Sequence, residues 1–166
     1  MSPYSVKIRS YFRYKSIPHQ WLQRMQHDED FKKYARLPII PLVVTPEDEG
    51  IQDSTPIIEK LEKIYPDPSI HPEDPTLAFL SALIEEFGDE WGNKLLFHHR
   101  WYSETDQVAS AHILARDVMP DADADTIGGL AEKIRNRMSG RGAFVGSSAE
   151  TAPLISSYFD QLLEIA

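Results

Sequence analysis

The sequence predicts an α/β domain followed by an all-helical domain, and three observations carry the prediction. Residues 38–65 read in succession as an apolar strand, a turn, a short return strand, a polar cap and an amphipathic helix. Residues 66–72, Pro-Asp-Pro-Ser-Ile-His-Pro, form a proline-rich break. Beyond that break the apolar residues recur at helical spacing. The expected domains are therefore 1–70 and 74–166.

The first helix is expected over residues 3–15, with Ser2 as N-cap and Pro3 at the first helical position, where a missing N–H costs nothing. Ile8, Tyr11 and Phe12 fall on one face as its core stripe, and Lys7, Arg9, Arg13 and Lys15 are expected in solvent. Ser16-Ile17-Pro18 breaks the helix, His19-Gln20-Trp21-Leu22 reads as a short strand, and 25–36 as a loose helix or loop. Ile40 to Val44 is β-branched and apolar enough for a buried strand. Pro46 to Gly50 is the hairpin turn, with Gly50 expected at positive φ, and Ile51-Gln52 the return strand. Asp53, Ser54 and Thr55 cap the next helix, whose apolar face is Ile57, Ile58, Leu61 and Ile64. Pro66 ends it.

After the break, Asp74-Pro75 starts a long helix with Leu80, Leu83, Ile84, Phe87, Trp91 and Leu95 as its apolar positions. Gly88 and Gly92 stand one turn apart, which allows another backbone to approach, from a second subunit or from the same chain. Further helices are expected over 108–119, over 126–139 with Asp125 as cap and Gly140 as stop, and from about Ala149 onward with Leu154, Ile155, Tyr158, Phe159 and Leu162 on one face.

Composition excludes several classes. The net charge is −9, with 26% charged and 42% apolar residues, as in a globular chain. Residues 1–36 carry eight Lys and Arg against three acids, and residues 45–90 carry two lysines against thirteen acids. The total disfavours nucleic acid as a partner. The basic start can attract a small anion or form a solvated face. No apolar run is long enough to span a bilayer and no signal segment opens the chain, so no membrane association and a cytoplasmic location are expected. There is no cysteine, which excludes disulfides, zinc thiolates and any thiol chemistry of the chain's own.

Two local features point to a ligand. Pro41 stands at a strand start, and a cis bond there would turn the Ile40 backbone outward to pair with an extended peptide. Asp53 and Ser54 stand at a helix N-terminus, which favours a bound carboxylate, while the Asp53 carboxylate could hold an ammonium beside it. Together they suit a small zwitterionic peptide. Each also has a plain structural use, as strand start or helix cap.

Ser2-Pro3-Tyr4-Ser5 opening a helix, Ile40-Pro41-Leu42 on a strand and Asp53-Ser54-Thr55-Pro56-Ile57-Ile58 on the next helix, in that order and spacing, resemble the glutathione S-transferase superfamily. The resemblance covers the N-terminal half closely and the rest in helical pattern. It implies a thioredoxin-like domain lacking its first strand, then an all-α transferase-type domain that stops short of the family's last helices. It implies glutathione as co-substrate, a small hydrophobic electrophile, no metal, and a homodimer. Ser2 matches the catalytic serine, whose hydroxyl stabilises the thiolate, and Ser5, Ile40, Pro41, Asp53 and Ser54 match the glutathione site. A plain N-cap is the alternative use of Ser2. Lys33 and Arg36 lie in the segment from which a cation would meet the glycyl carboxylate. Serine at both positions excludes a glutaredoxin-like reductase, because a hydroxyl forms no mixed disulfide.

The resulting expectation is transfer of glutathione to an electrophile. The rivals are a non-catalytic interaction module on the same scaffold and a glutathione-dependent isomerase or dehalogenase of the superfamily. His98-His99-Arg100 is expected near a helix end, in solvent, as a cap or along the electrophile's cleft. Adjacent histidines diverge by about 100° on a helix and do not converge on one metal.

Overall fold

The computed structural model describes residues 2–165, and expectations resting on Met1 and Ala166 lie outside the described residues. The chain divides into two compact units, 1–82 and 83–166.

The first unit is built on a small antiparallel sheet. Strand β1, Leu42–Val44, pairs with β2, Gly50–Gln52, in the register Leu42 to Gln52, Val43 to Ile51 and Val44 to Gly50. Helix α1, Pro3–Tyr14, and helix α3, Ser54–Ile64, share one apolar core with this sheet. Ile8, Tyr11 and Phe12 meet Ile51, Ile57, Ile58 and Leu61, and Ile57 is fully buried. Full burial of one such side chain stabilises by about 1.5–3 kcal/mol, so these few residues dominate the cohesion of the unit. Helix α2, Asp28–Tyr34, places three acids in its first turn, favourably for the helix dipole, and buries Phe31 beneath the Arg24 guanidinium.

Several local expectations change. His19 to Leu22 forms no strand, and the sheet among the described residues consists of β1 and β2; the side chains of this segment pack on α1 instead. Trp21 lies under the Arg9 guanidinium, and the His19 ring meets Phe12 edge-on. Lys15 is buried, as its ammonium meets the Glu62 carboxylate at 2.5 Å and donates to the Tyr65 carbonyl at 2.8 Å. Ile64 is exposed, since α3 turns its last apolar position past the edge of the core.

The hairpin turn closes through Asp48, not Gly50. Asp48 takes φ 64°, and the Asp48 N–H donates to the Thr45 carbonyl. Gly50 is needed for a different reason: a Cβ there would sit 2.6 Å from Cβ of Tyr34. That contact is against the rigid root of the side chain. Gly50→Ala is expected to destabilise the unit by about 1–3 kcal/mol, seen as a lower denaturation midpoint at the amides of α2 and β2.

Helix α4, Pro75–Phe87, starts as expected, with Asp74 Oδ1 accepting from Thr76 N–H and Leu77 N–H at 2.9 Å. The expected long helix is interrupted by a π-helical turn over Gly88–Gly92 before α5, Asn93–Trp101. No backbone approaches Gly88, and near Gly92 only its own helix does, so the close crossing expected on this chain is absent among the described residues. Leu80, Leu83, Ile84, Phe87 and Trp91 are exposed.

Helix α6, Glu104–Val118, begins earlier than the apolar spacing suggests, because Ser103 caps it by accepting from Asp106 N–H. Helix α7, Ala124–Ser139, is capped by Asp123 and not Asp125, with Asp123 Oδ1 accepting from Thr126 N–H at 2.8 Å. The three alternate acids of 121–125 are equivalent as caps by sequence alone. Ala111 and Ala115 of α6 lie against Ile127 and Ala131 of α7, and with Trp101 they form the core of the second unit. Helix α8, Ala152–Ile165, leaves Leu154 and Tyr158 exposed.

Candidate functional site

The hairpin register fixes where the two candidate ligand segments meet. One step beyond the pair Leu42 and Gln52, Pro41 faces Asp53, and the Asp53 N–H donates to the Pro41 carbonyl at 3.2 Å. Ile40 precedes this contact on one side, and Ser54, the first residue of α3, follows it on the other. The bond between Ile40 and Pro41 is cis. Ile40 is exposed and forms no backbone hydrogen bond among the described residues, leaving its N–H and C=O open at the sheet margin.

On the helix side, Asp53 is the N-cap of α3, and its carboxylate accepts from Ser54 N–H at 2.6 Å. Its backbone is at φ 79°, ψ 143°, a region that costs a non-glycine residue on the order of 1–3 kcal/mol and that clusters at ligand sites. Ser54 is 1% exposed, yet its Oγ has no hydrogen-bond partner. A buried hydroxyl normally finds one, and an orphan is an acceptor and donor held in reserve. The contact between Pro41 and Asp53 thus joins a segment with an open main-chain edge at Ile40 to one with a strained acidic cap and an unused hydroxyl at Ser54.

Ser2 occupies the N-cap position of α1, where its carbonyl accepts from Val6 N–H at 3.1 Å, but its side chain makes no capping hydrogen bond. The plain-cap use of this serine is therefore not realised. Ser5 is buried in the first turn of α1. No hydrogen bond joins Ser2 or Ser5 to Ile40, Asp53 or Ser54 among the described residues. Of the two candidate cations, the Lys33 ammonium is engaged with Tyr34 Oη at 2.6 Å and with Asp48, which raises its pKa through those hydrogen bonds. Arg36 is exposed next to Ile40's loop.

Two features escaped the sequence reading. Gln52 binds the loop ahead of Ile40 through both ends of its amide, and Arg24 Nη1 donates to the Pro38 carbonyl at 3.0 Å. No spacing rule marks either residue, because each acts on backbone distant in sequence.

The second unit holds a separate cluster. His98 is buried, its Nδ1 is 2.7 Å from Ser147 Oγ, and its ring stacks on Tyr102. Burial, followed by the neighbouring His99, holds its pKa below the ordinary imidazole value. This corrects the expectation of a solvent-facing or capping pair. His99 packs on Phe159 in an open cleft of ≈ 520 Å³ that Leu95, Arg100, Ser110 and Leu162 also line, and its Nε2 is buried without a partner. The two imidazole rings stand at 89° to each other. Among the described residues no group of three or more His, Asp and Glu could hold a metal ion, and no helix is long and apolar enough to cross a membrane.

Residues 1–64 match the family model of the glutathione S-transferase N-terminal domain. The matched segment contains α1, the hairpin and α3 with the whole Ile40–Ser54 constellation, and ends where α3 ends. Its small sheet with flanking helices, followed by a helical second unit, is consistent with a thioredoxin-like domain preceding an all-α domain. Comparison with curated proteins gives no match, and neither does comparison with solved structures.

Proposed function

We propose, from the premise that residues 1–64 are an N-terminal domain of the glutathione S-transferase superfamily, that this chain binds glutathione and transfers its thiolate to a small hydrophobic electrophile. The observation that carries the proposal is the hydrogen bond from Asp53 N–H to the Pro41 carbonyl, which sets the open Ile40 edge against the Asp53–Ser54 cap. An extended tripeptide laid along that edge takes the Ile40 N–H and C=O through its cysteinyl main chain. Its glutamyl carboxylate takes the Ser54 amide and hydroxyl, displacing the Asp53 carboxylate, which turns to the glutamyl ammonium. Arg36 is the cation for the glycyl carboxylate, since Lys33 is already held by Asp48 and Tyr34.

The chain has no thiol, so the reacting sulfur belongs to the ligand. A free thiol ionises near pH 8.5, and a hydroxyl donor beside the first amides of a helix lowers that value. Ser2 is that donor. The thiol proton leaves to solvent, the thiolate forms a carbon–sulfur bond with the electrophile, and the leaving group departs with its electron pair. Ser5 supports the ligand from the same helical turn. The proposed organisation is a glutathione domain over 1–70 and a helical domain over 74–166, in a cytoplasmic homodimer.

The test is turnover of an aryl halide with glutathione. A charge-assisted hydrogen bond contributes about 1.5–3 kcal/mol, so Ser2→Ala is expected to lower kcat roughly 10- to 100-fold with KM little changed. Unaltered kcat removes Ser2 from the catalytic role. A second reading, a non-catalytic interaction module, is favoured by the unpaired outer edges of the two-stranded sheet among the described residues. Glutathione binding without turnover of any aryl halide supports that reading.

A further inference from the structure

The segment that carries Ile40 to the sheet, residues 35–40, has no regular structure, and Arg36, Leu37, Pro38, Ile39 and Ile40 are all exposed. A loop of this kind is ordinarily mobile. Here side chains hold it, Gln52 foremost. Gln52 Oε1 accepts from Arg36 N–H and from Leu37 N–H, each at 3.1 Å, and Gln52 Nε2 donates to the Leu37 and Ile39 carbonyls, each at 2.7 Å. A side-chain amide has two acceptor positions and two donor protons, and this one uses all four on a single loop. The pattern also fixes the amide's orientation, because the flipped form would set NH₂ against two N–H groups and oxygen against two carbonyls.

Gln52 is anchored by its own backbone in β2, paired with Leu42, and it immediately precedes Asp53. Its main chain therefore belongs to the helix-cap side of the site, and its side chain grips the edge side. Apart from it, the loop is held by Arg24 at the Pro38 carbonyl.

We propose that Gln52 is a positioning residue, whose amide clamps residues 36–39 so that Arg36 and the Ile40 edge are fixed relative to the Asp53–Ser54 cap before ligand arrives. The role rests on the glutathione reading above. Its physical content is preorganisation: ordering five exposed residues only on binding would be charged against affinity, and the clamp removes that cost beforehand. Gln52 touches neither the thiol nor the electrophile, so it acts on binding and leaves the chemical step alone.

Two measurements on the whole chain test this, one without ligand and one with glutathione. Amide hydrogen exchange on Gln52→Ala is expected to speed at least tenfold at Arg36 and Leu37, with Ile57 in α3 unchanged. Gln52→Glu keeps the accepting oxygen and loses both donors, so those two amides stay protected while the grip on the Leu37 and Ile39 carbonyls is lost. In glutathione titrations both variants are expected to bind at least tenfold more weakly, Gln52→Ala the more so, and in turnover KM for glutathione rises with kcat unchanged. Unchanged exchange at Arg36 and Leu37 overturns the clamp. Faster exchange with wild-type affinity overturns the positioning role and leaves the glutathione reading intact. Absence of glutathione binding by the unaltered chain overturns both, and faster exchange in Gln52→Ala then reports the clamp as purely structural.

Discussion

Lys15→Met is expected to cost the first unit about 3–5 kcal/mol, most of the stability of a domain of this size. The Lys15 side chain has no exposure, and the Glu62 side chain retains 9%. Their ion pair is completed by Tyr11 Oη donating to Glu62 Oε1 at 2.8 Å and by Lys15 Nζ donating to the Tyr65 carbonyl. It ties the end of α1 to the end of α3. Removing the ammonium leaves a largely buried carboxylate with one hydroxyl and one weak backbone donor, Ile70 N–H at 3.4 Å. Replacing both partners, Lys15→Met with Glu62→Leu, is expected to recover most of the loss, because no charge is then stranded.

The pH dependence follows from Glu62. Burial pushes its carboxyl up, and the hydrogen bonds from Lys15 and Tyr11 outweigh that and hold it below its ordinary value of 4.5. In the unaltered chain this stabilisation is present above pH 4.5 and is lost as pH falls through the depressed value. In Lys15→Met the pull of the ammonium is gone while burial still opposes ionisation, so the variant gains less from the ionised Glu62 than the unaltered chain does. The gap between the two therefore narrows in acid. Denaturant midpoints followed at the amides of α1 and α3 measure it without interference from the second unit.

Ser54→Ala is expected to abolish retention on immobilised glutathione while leaving the fold as stable as before, or up to about 1 kcal/mol more stable. Ser54 Oγ is buried without a partner, so the fold gains nothing from it and bears its desolvation. Alanine also suits the first turn of a helix. The pairing of results is diagnostic. An ordinary capping serine would lose stability on truncation, by about 0.5–2 kcal/mol, and a ligand-binding one loses affinity alone. Retention equal to that of the unaltered chain would remove Ser54 from the site.

Local signals made much of this molecule readable. The apolar stripe of α1, the hairpin, the cap and apolar face of α3 and the proline-rich break all follow from short-range spacing and turn chemistry. Ile40, Pro41, Asp53 and Ser54 could be named from sequence, but their adjacency is a property of the register, which the turn at Asp48 determines. What stayed hidden depends on contacts far apart in the chain. Lys15 reads as one more solvent-facing base until α3 brings Glu62 to it. Gln52 reads as a polar residue closing a strand until the 36–39 loop folds across it. Gly50 suggests a turn by composition, and serves instead as room for Tyr34. The cap of α7 falls at Asp123, two residues before Asp125, because three alternating acids compete for it. The π-helical turn at Gly88–Gly92 inserts a residue's worth of offset that helical periodicity does not encode.

The proposed site depends on one piece of main chain, the unpaired edge at Ile40 beside the Pro41–Asp53 contact. Amide hydrogen exchange of Ile40 with and without saturating glutathione tests it most directly. The Ile40 amide is expected to be exposed and fast-exchanging in the free chain and to become protected at least tenfold with glutathione, together with a perturbed Ser54 amide. Glutathione binding that leaves the Ile40 amide exchanging as fast as before would contradict it.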